Sequence, residues 1–88
     1  MKIENWERTE EGDYMIYKKG VYLRVSNRNS GKWKWIARIY DKRIPEGWNG
    51  AVEGFISVHG FTKRSFAIQY CEKIFLELQL LYSQDNQT

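Results

Sequence analysis

Between Gly31 and Arg43 the chain reads GKWKWIARIYDKR, and two kinds of residue alternate along it. Trp33, Trp35, Ala37 and Ile39 fall on one side; Lys32, Lys34, Ile36, Arg38, Tyr40 and Lys42 fall on the other. Successive side chains of a β-strand point to opposite faces, so this period of two predicts a strand with two distinct faces. The first face is apolar and needs a core to cover it. The second is basic, with an isoleucine and a tyrosine among the charges.

Further short strands precede and follow. Glu11-Gly12-Asp13 is a turn signal, and Tyr14 to Lys18 reads as a first strand. Lys19-Gly20 is a tight turn into a second strand, Val21 to Ser26, in which Val21, Leu23 and Val25 alternate with Tyr22, Arg24 and Ser26. Asn27 to Gly31 has the composition of a hairpin loop longer than two residues. Ile44 to Gly50 holds the only proline and joins the third strand to a fourth, Ala51 to Val58, with Trp48 near the loop tip. Gly54 inside that strand implies a bulge or a close approach of another backbone.

From Thr62 to Tyr82 the period changes to that of a helix. Ala67, Cys71, Ile74, Phe75, Leu78, Leu81 and Tyr82 recur as one apolar stripe that the apolar sheet face would receive. Thr62 suits the N-cap, and Phe61 with Phe66 suits a hydrophobic staple. The expected fold is α+β: an antiparallel four-stranded meander with one C-terminal helix packed on one face. Residues 1–82 would form a single domain and 83–88 a disordered tail. An antiparallel sheet tolerates an open second face.

Composition narrows the function classes. The 88 residues are 16% aromatic, too many rings for a disordered chain and enough to fill a small core. A single cysteine excludes a disulfide scaffold and fits a reducing, cytoplasmic setting. No signal-type segment or long apolar run points to secretion or a membrane. Charge is uneven: residues 1–13 sum to −3, residues 14–43 to +8 and the remainder to −2. A basic block of this kind attracts polyanions, although a solvated strand face gives the same count.

On the expected open face stand Tyr22, Arg24, Lys34, Ile36, Arg38, Tyr40 and Phe55. Rings offer stacking surfaces to bases and cations contact phosphates, so nucleic acid is one expected partner, read by Tyr22, Arg24, Lys34, Arg38 and Tyr40. The plainer reading is that such residues simply suit a pleated surface. Lys63 and Arg64 lie in the first helical turn, where cations oppose the helix dipole unless a bound phosphate reverses the sign. Leu76 and Leu80, one turn apart beside Lys73, and Trp48 in its loop form a candidate surface for a protein partner or a second copy. The N-terminal segment, through Ile3 or Trp6, is an alternative cover for the leucine pair, and Trp6 an edge of the core.

Catalysis is not expected. His59 is the only histidine and has no acid or nucleophile partner in sequence; Cys71 lies in the apolar stripe. One cysteine and one histidine cannot build a structural zinc site, and no phosphate-binding glycine loop is present, so neither metal nor cofactor is expected.

The segments GVY, GKWKWIARIYD, GF and FTKRSFAIQYCEKI together resemble the AP2 and integrase-arm type of DNA-binding domain over about residues 20–75. In that type, three strands precede a helix opened by a threonine, and strand residues read the DNA major groove. The resemblance implies groove-facing roles for Arg24, Lys34, Arg38 and Tyr40. The long 44–50 loop, the extra N-terminal strand and the acidic leader depart from it. The chain is also similar to small orphan proteins of bacteriophages and other mobile elements, some of which inhibit a host protein by occupying its binding surface.

Overall fold

The computed structural model describes residues 3–27 and 34–85. Five antiparallel strands form one sheet in chain order: β1 (Glu7–Arg8), β2 (Tyr14–Lys18), β3 (Val21–Asn27), β4 (Trp35–Tyr40) and β5 (Phe55–Phe61). One helix, α1 (Arg64–Asp85), covers one face. The α+β meander with a C-terminal helix is as expected. The extra strand is β1, whose two residues pair with Met15 and Tyr14. A polar dipeptide carries no alternation, so its pairing has no signature in sequence.

Two backbone devices set the register. Lys19 (φ +52°) and Gly20 (φ +82°) turn the chain in two residues with both backbones left-handed, which fits the twist of the flanking strands. The turn places Lys18 opposite Val21 and Tyr17 opposite Tyr22. At the far end of β5, Trp35 pairs with Phe61 while Ile36 pairs with His59, so Gly60 (φ +100°) is a bulge. The extra residue returns Phe61 to the helix side, where its ring lies 5.6 Å from Tyr70, instead of leaving it beside His59.

That ring pair replaces the expected staple. The helix starts at Arg64, and the Lys63 carbonyl accepts the Phe66 and Ala67 N–H groups, so Lys63 rather than Thr62 holds the capping position. Phe66 is exposed. The helix also runs three residues into the predicted tail, to Asp85. The fourth predicted strand begins four residues late: Ala51–Gly54 forms a turn closed by the Val52–Phe55 bridge. The close approach expected at Gly54 is there, since a Cβ would stand 2.8 Å from the Asp41 carbonyl oxygen.

The core lies between the sheet and α1. Val21, Leu23, Val25, Ala37, Ile39 and Ile56 face Ala67, Cys71, Ile74, Phe75 and Leu78, with Ile3, Ile44 and Ala51 closing the margins. Cys71 is a core thiol, pushed up to about 12 by burial and the nearby Glu72. Ile3 is buried and Trp6 packs on the core edge; the Ile3 N–H donates to Glu72 Oε2 at 2.6 Å. The N-terminal segment therefore covers the core margin and leaves Leu76 and Leu80 exposed. Expectations for Lys32, Trp33, most of the 27–31 loop and the last three residues lie outside the described residues.

Candidate functional site

The outer face, away from α1, is organised in three rows by strand register. Tyr17, Tyr22, Tyr40 and Phe55 stand opposite one another across β2 to β5. The next row is Met15, Arg24, Arg38 and Ser57, and the third is Ser26, Ile36 and His59. The aromatic row ends in exposed rings, Tyr17 at 70% and Phe55 at 55% of full exposure. Tyr40 and Phe55 lie 4.3 Å apart between ring centroids, tilted by 34°. The third row is different. Ile36 is 2% exposed and Ser26 is buried, so on β3 and β4 this face is covered away from the Lys19-Gly20 turn, while Ser57 and His59 on β5 are exposed. Ile36 does not belong to an exposed patch as its alternation implied.

The basic block divides once pairing is visible. The Arg24 guanidinium donates to Asp13 Oδ2 through Nε (2.9 Å) and Nη2 (2.6 Å), and to Tyr22 Oη through Nη1 (3.1 Å). It is neutralised from the acidic leader and holds the Tyr22 ring. Lys18 leans to the helix side, with its ammonium 5.9 Å from the Phe75 ring centroid. Arg43 binds Asp41. Lys19, Lys34, Arg38 and Lys42 have no ion pair among the described residues.

Asp41 is the polar anchor beneath the open end. Alternation places it on the core side of β4, and it is 3% exposed. Its Oδ2 accepts Arg43 Nη2 (2.7 Å), Arg43 Nε (3.0 Å) and Tyr82 Oη (2.9 Å), and its Oδ1 accepts the Arg43 N–H (3.0 Å). Burial pushes the Asp41 carboxyl up, but these hydrogen bonds and the guanidinium charge outweigh it and hold the group below its ordinary value. Tyr82 moves the other way: burial and its bond to Asp41 raise it. Arg43 also donates to the Lys19 carbonyl at 2.9 Å and lies 4.1 Å over the Tyr82 ring. One buried carboxylate thus ties the β2–β3 turn, the end of β4 and the end of α1 together.

Beside this anchor lies a pocket of about 410 Å³ lined by Tyr17, Lys19, Gly20, Tyr40, Asp41, Lys42 and Arg43. A larger cleft, about 910 Å³, lies in the other layer, between Trp6, Trp35 and the start of α1. Lys63 and Arg64 line that cleft, so they do not join Tyr22, Arg38 and Tyr40 on the sheet face. Arg64 donates to Tyr14 Oη at 2.6 Å and lies 4.7 Å over that ring.

No family model, no curated protein and no solved structure matches this chain. The function must therefore be argued from the chain's own residues. Among the described residues, no three histidine, cysteine, aspartate or glutamate side chains stand together as a metal centre requires, and no helix is long and apolar enough to cross a membrane. His59 is exposed on β5, with Nε2 3.4 Å from Ser57 Oγ. Trp48 opens a short 3-10 turn and packs half-buried on the core, so it is not a projecting anchor. Leu76 and Leu80 are exposed and share the solvent side of α1 with Phe66.

Sequence reasoning places Tyr22, Arg38, Tyr40, Phe55 and, by alternation, Lys42 on the outer face and misses Tyr17 and Lys19. The two-residue turn is the available signal for Tyr17, because a hairpin turning at Lys19-Gly20 sets Tyr17 opposite Tyr22. The signal for Asp41 is equally simple: a carboxylate in phase with Ala37 and Ile39 points into the core.

Proposed function

We propose that this protein is a non-enzymatic binding protein that takes single-stranded nucleic acid on the exposed end of its outer sheet face. The observation that carries this reading is the row Tyr17, Tyr22, Tyr40 and Phe55, set in register across four strands and bordered by cations without acidic partners among the described residues. Stacking of a base on a protein ring contributes about 1–3 kcal/mol and tolerates any sequence. Base faces are free only in an unpaired strand, which favours single strands over a duplex. Arg38, Lys34, Lys19 and Lys42 supply the attraction for phosphate, while Arg24 acts by holding Tyr22 in place.

Anisotropy titrations of labelled single- and double-stranded DNA and RNA at two salt concentrations test the reading. Salt-sensitive binding of single strands, weakened roughly tenfold or more by Tyr40→Ala with Phe55→Ala, is the expected result. Preference for duplex would favour the groove-reading use of the same face that the AP2-type resemblance implies. Absence of binding at low salt would refute both.

A second reading rests on a separate observation. Phe66, Leu76 and Leu80 are exposed along one side of α1, which suits a contact with another protein or a second copy. Sedimentation over a range of concentrations tests self-association, and Leu80→Lys should abolish any dimer seen.

A further inference from the structure

We infer that the pocket between Tyr17 and Tyr40 holds a backbone phosphate of the bound strand between the ammonium groups of Lys19 and Lys42. The inference rests on the reading above and adds a direction to it: the sugar-phosphate backbone runs over the turn end of the sheet, and the bases point inward across the aromatic row.

Charge on the two sides of the row decides this. A strand whose bases stack on Tyr17, Tyr22, Tyr40 and Phe55 must carry its phosphates along one long side of that row. On the inner side stand Arg24 and Arg38. Arg24 is cancelled by Asp13, with Glu11 also within 3.8 Å, so the row next to the rings offers one cation without an acidic partner among the described residues, and Lys34 stands two rows farther off, before the start of β4. On the turn side the pocket offers two, Lys19 and Lys42. The one carboxylate in its lining, Asp41, does not offset them, because Arg43 and Tyr82 already occupy both of its oxygens.

The pocket is also built rather than incidental. The Arg43 guanidinium pins the turn through the Lys19 carbonyl, and it can do so because residue 20 is glycine: a Cβ there would stand 2.7 Å from Arg43 Nη2. The backbones of Lys19 and Lys42 are therefore fixed relative to Tyr40 by the ion pair of Arg43 with the buried Asp41, while their side chains reach solvent. A volume of about 410 Å³ accommodates a phosphate with part of its sugar.

The experiment compares salt dependence between variants, using oligothymidylate and an abasic strand of equal length. Lys19→Asn with Lys42→Gln removes both charges; asparagine suits the left-handed backbone at position 19, where φ is +52°. Each phosphate contact on a single strand contributes about 0.7 to the slope of log K against log salt, so the double variant, which removes the one phosphate contact, should lower the slope by roughly 0.7 on both strands. Arg38→Gln should lower it by less than half as much. Tyr40→Ala should weaken oligothymidylate and leave the abasic strand unchanged.

A wild-type slope in the double variant, with an unchanged melting temperature, would overturn the inference while leaving the stacking site intact. So would a larger loss from Arg38→Gln. If the wild-type protein bound neither strand, the proposed function itself would fall. A variant that melts early is replaced by Lys42→Gln alone, which should lower the slope on both strands by a smaller amount in the same direction.

Discussion

The two faces of the sheet both carry large side chains, yet they are held by different forces. On the inner face, Leu23, Ile39, Ile56 and Phe75 interlock and exclude water, so each side chain is fixed by all its neighbours at once. On the outer face, Tyr17 and Phe55 are mostly exposed, and the row keeps its order through strand register, one tilted ring pair and the Arg24–Tyr22 contact. The difference teaches that substitutions inside should read out as stability and those outside as binding. Phe75→Ala should destabilise the domain by about 3–5 kcal/mol, a large share of the total for a chain of this size. Phe55→Ala should cost under about 1 kcal/mol, because its ring already meets water. Denaturant titrations that found equal losses would break the comparison.

Asp41 sits where the two faces meet, and its effect should be intermediate. Asp41→Asn removes the carboxylate from Arg43 and Tyr82. Losing the carboxylate removes the partner of a guanidinium that is 47% exposed and can rehydrate, which places the loss at about 2 kcal/mol at neutral pH. The sign with pH follows from the direction of the shift. Asp41 titrates below its ordinary 3.8 in the folded protein, so its contribution is full above that value and fades as pH falls below it. The gap between wild type and Asp41→Asn should therefore narrow in acid. Tyr82 is shifted up, so its contribution is full below its ordinary 10.0 and fades as pH rises beyond it. Tyr82→Phe, costing about 1 kcal/mol, should flatten only that alkaline decline in thermal melts.

The inner face is legible in the sequence because burial leaves a periodic trace. Val21, Leu23 and Val25, then Ala37 and Ile39, then the stripe from Ala67 to Leu78 all follow from periods of two and of a helix. The misses over the sheet cations have one cause. Charge pairing joins residues far apart in the chain, and a count of +8 over residues 14–43 cannot say which cations have partners. Arg24 reads as a phosphate contact in sequence, whereas the folded leader presents Asp13 to it. Lys63 and Arg64 read in sequence only as cations of the first helical turn, and the fold places them beside Trp6 and Trp35, away from the outer sheet face. The burial of Ile36 is not legible either, since its alternation says which face it lies on and nothing of whether that face is covered.

The smallest expected effect is also the sharpest test of how the outer face works. If Arg24 neutralises the leader and steadies Tyr22, then removing the Arg24–Asp13 pair as a unit changes no net charge on that face. The double variant Arg24→Gln with Asp13→Asn should keep the wild-type salt slope and bind single strands within about twofold, with a stability loss of about 1 kcal/mol or less for this partly exposed pair. Arg24→Gln alone is different, because it leaves the Asp13 carboxylate unpaired beside the strand. It should weaken binding by more than the double variant does, and added salt should reduce that excess. The opposite ranking, with the double variant the weaker binder and its slope lowered by roughly 0.7, would mean that Arg24 reaches a phosphate itself. The inner side of the row would then carry as many working cations as the turn side, and the asymmetry that directs the backbone over Lys19 and Lys42 would be lost.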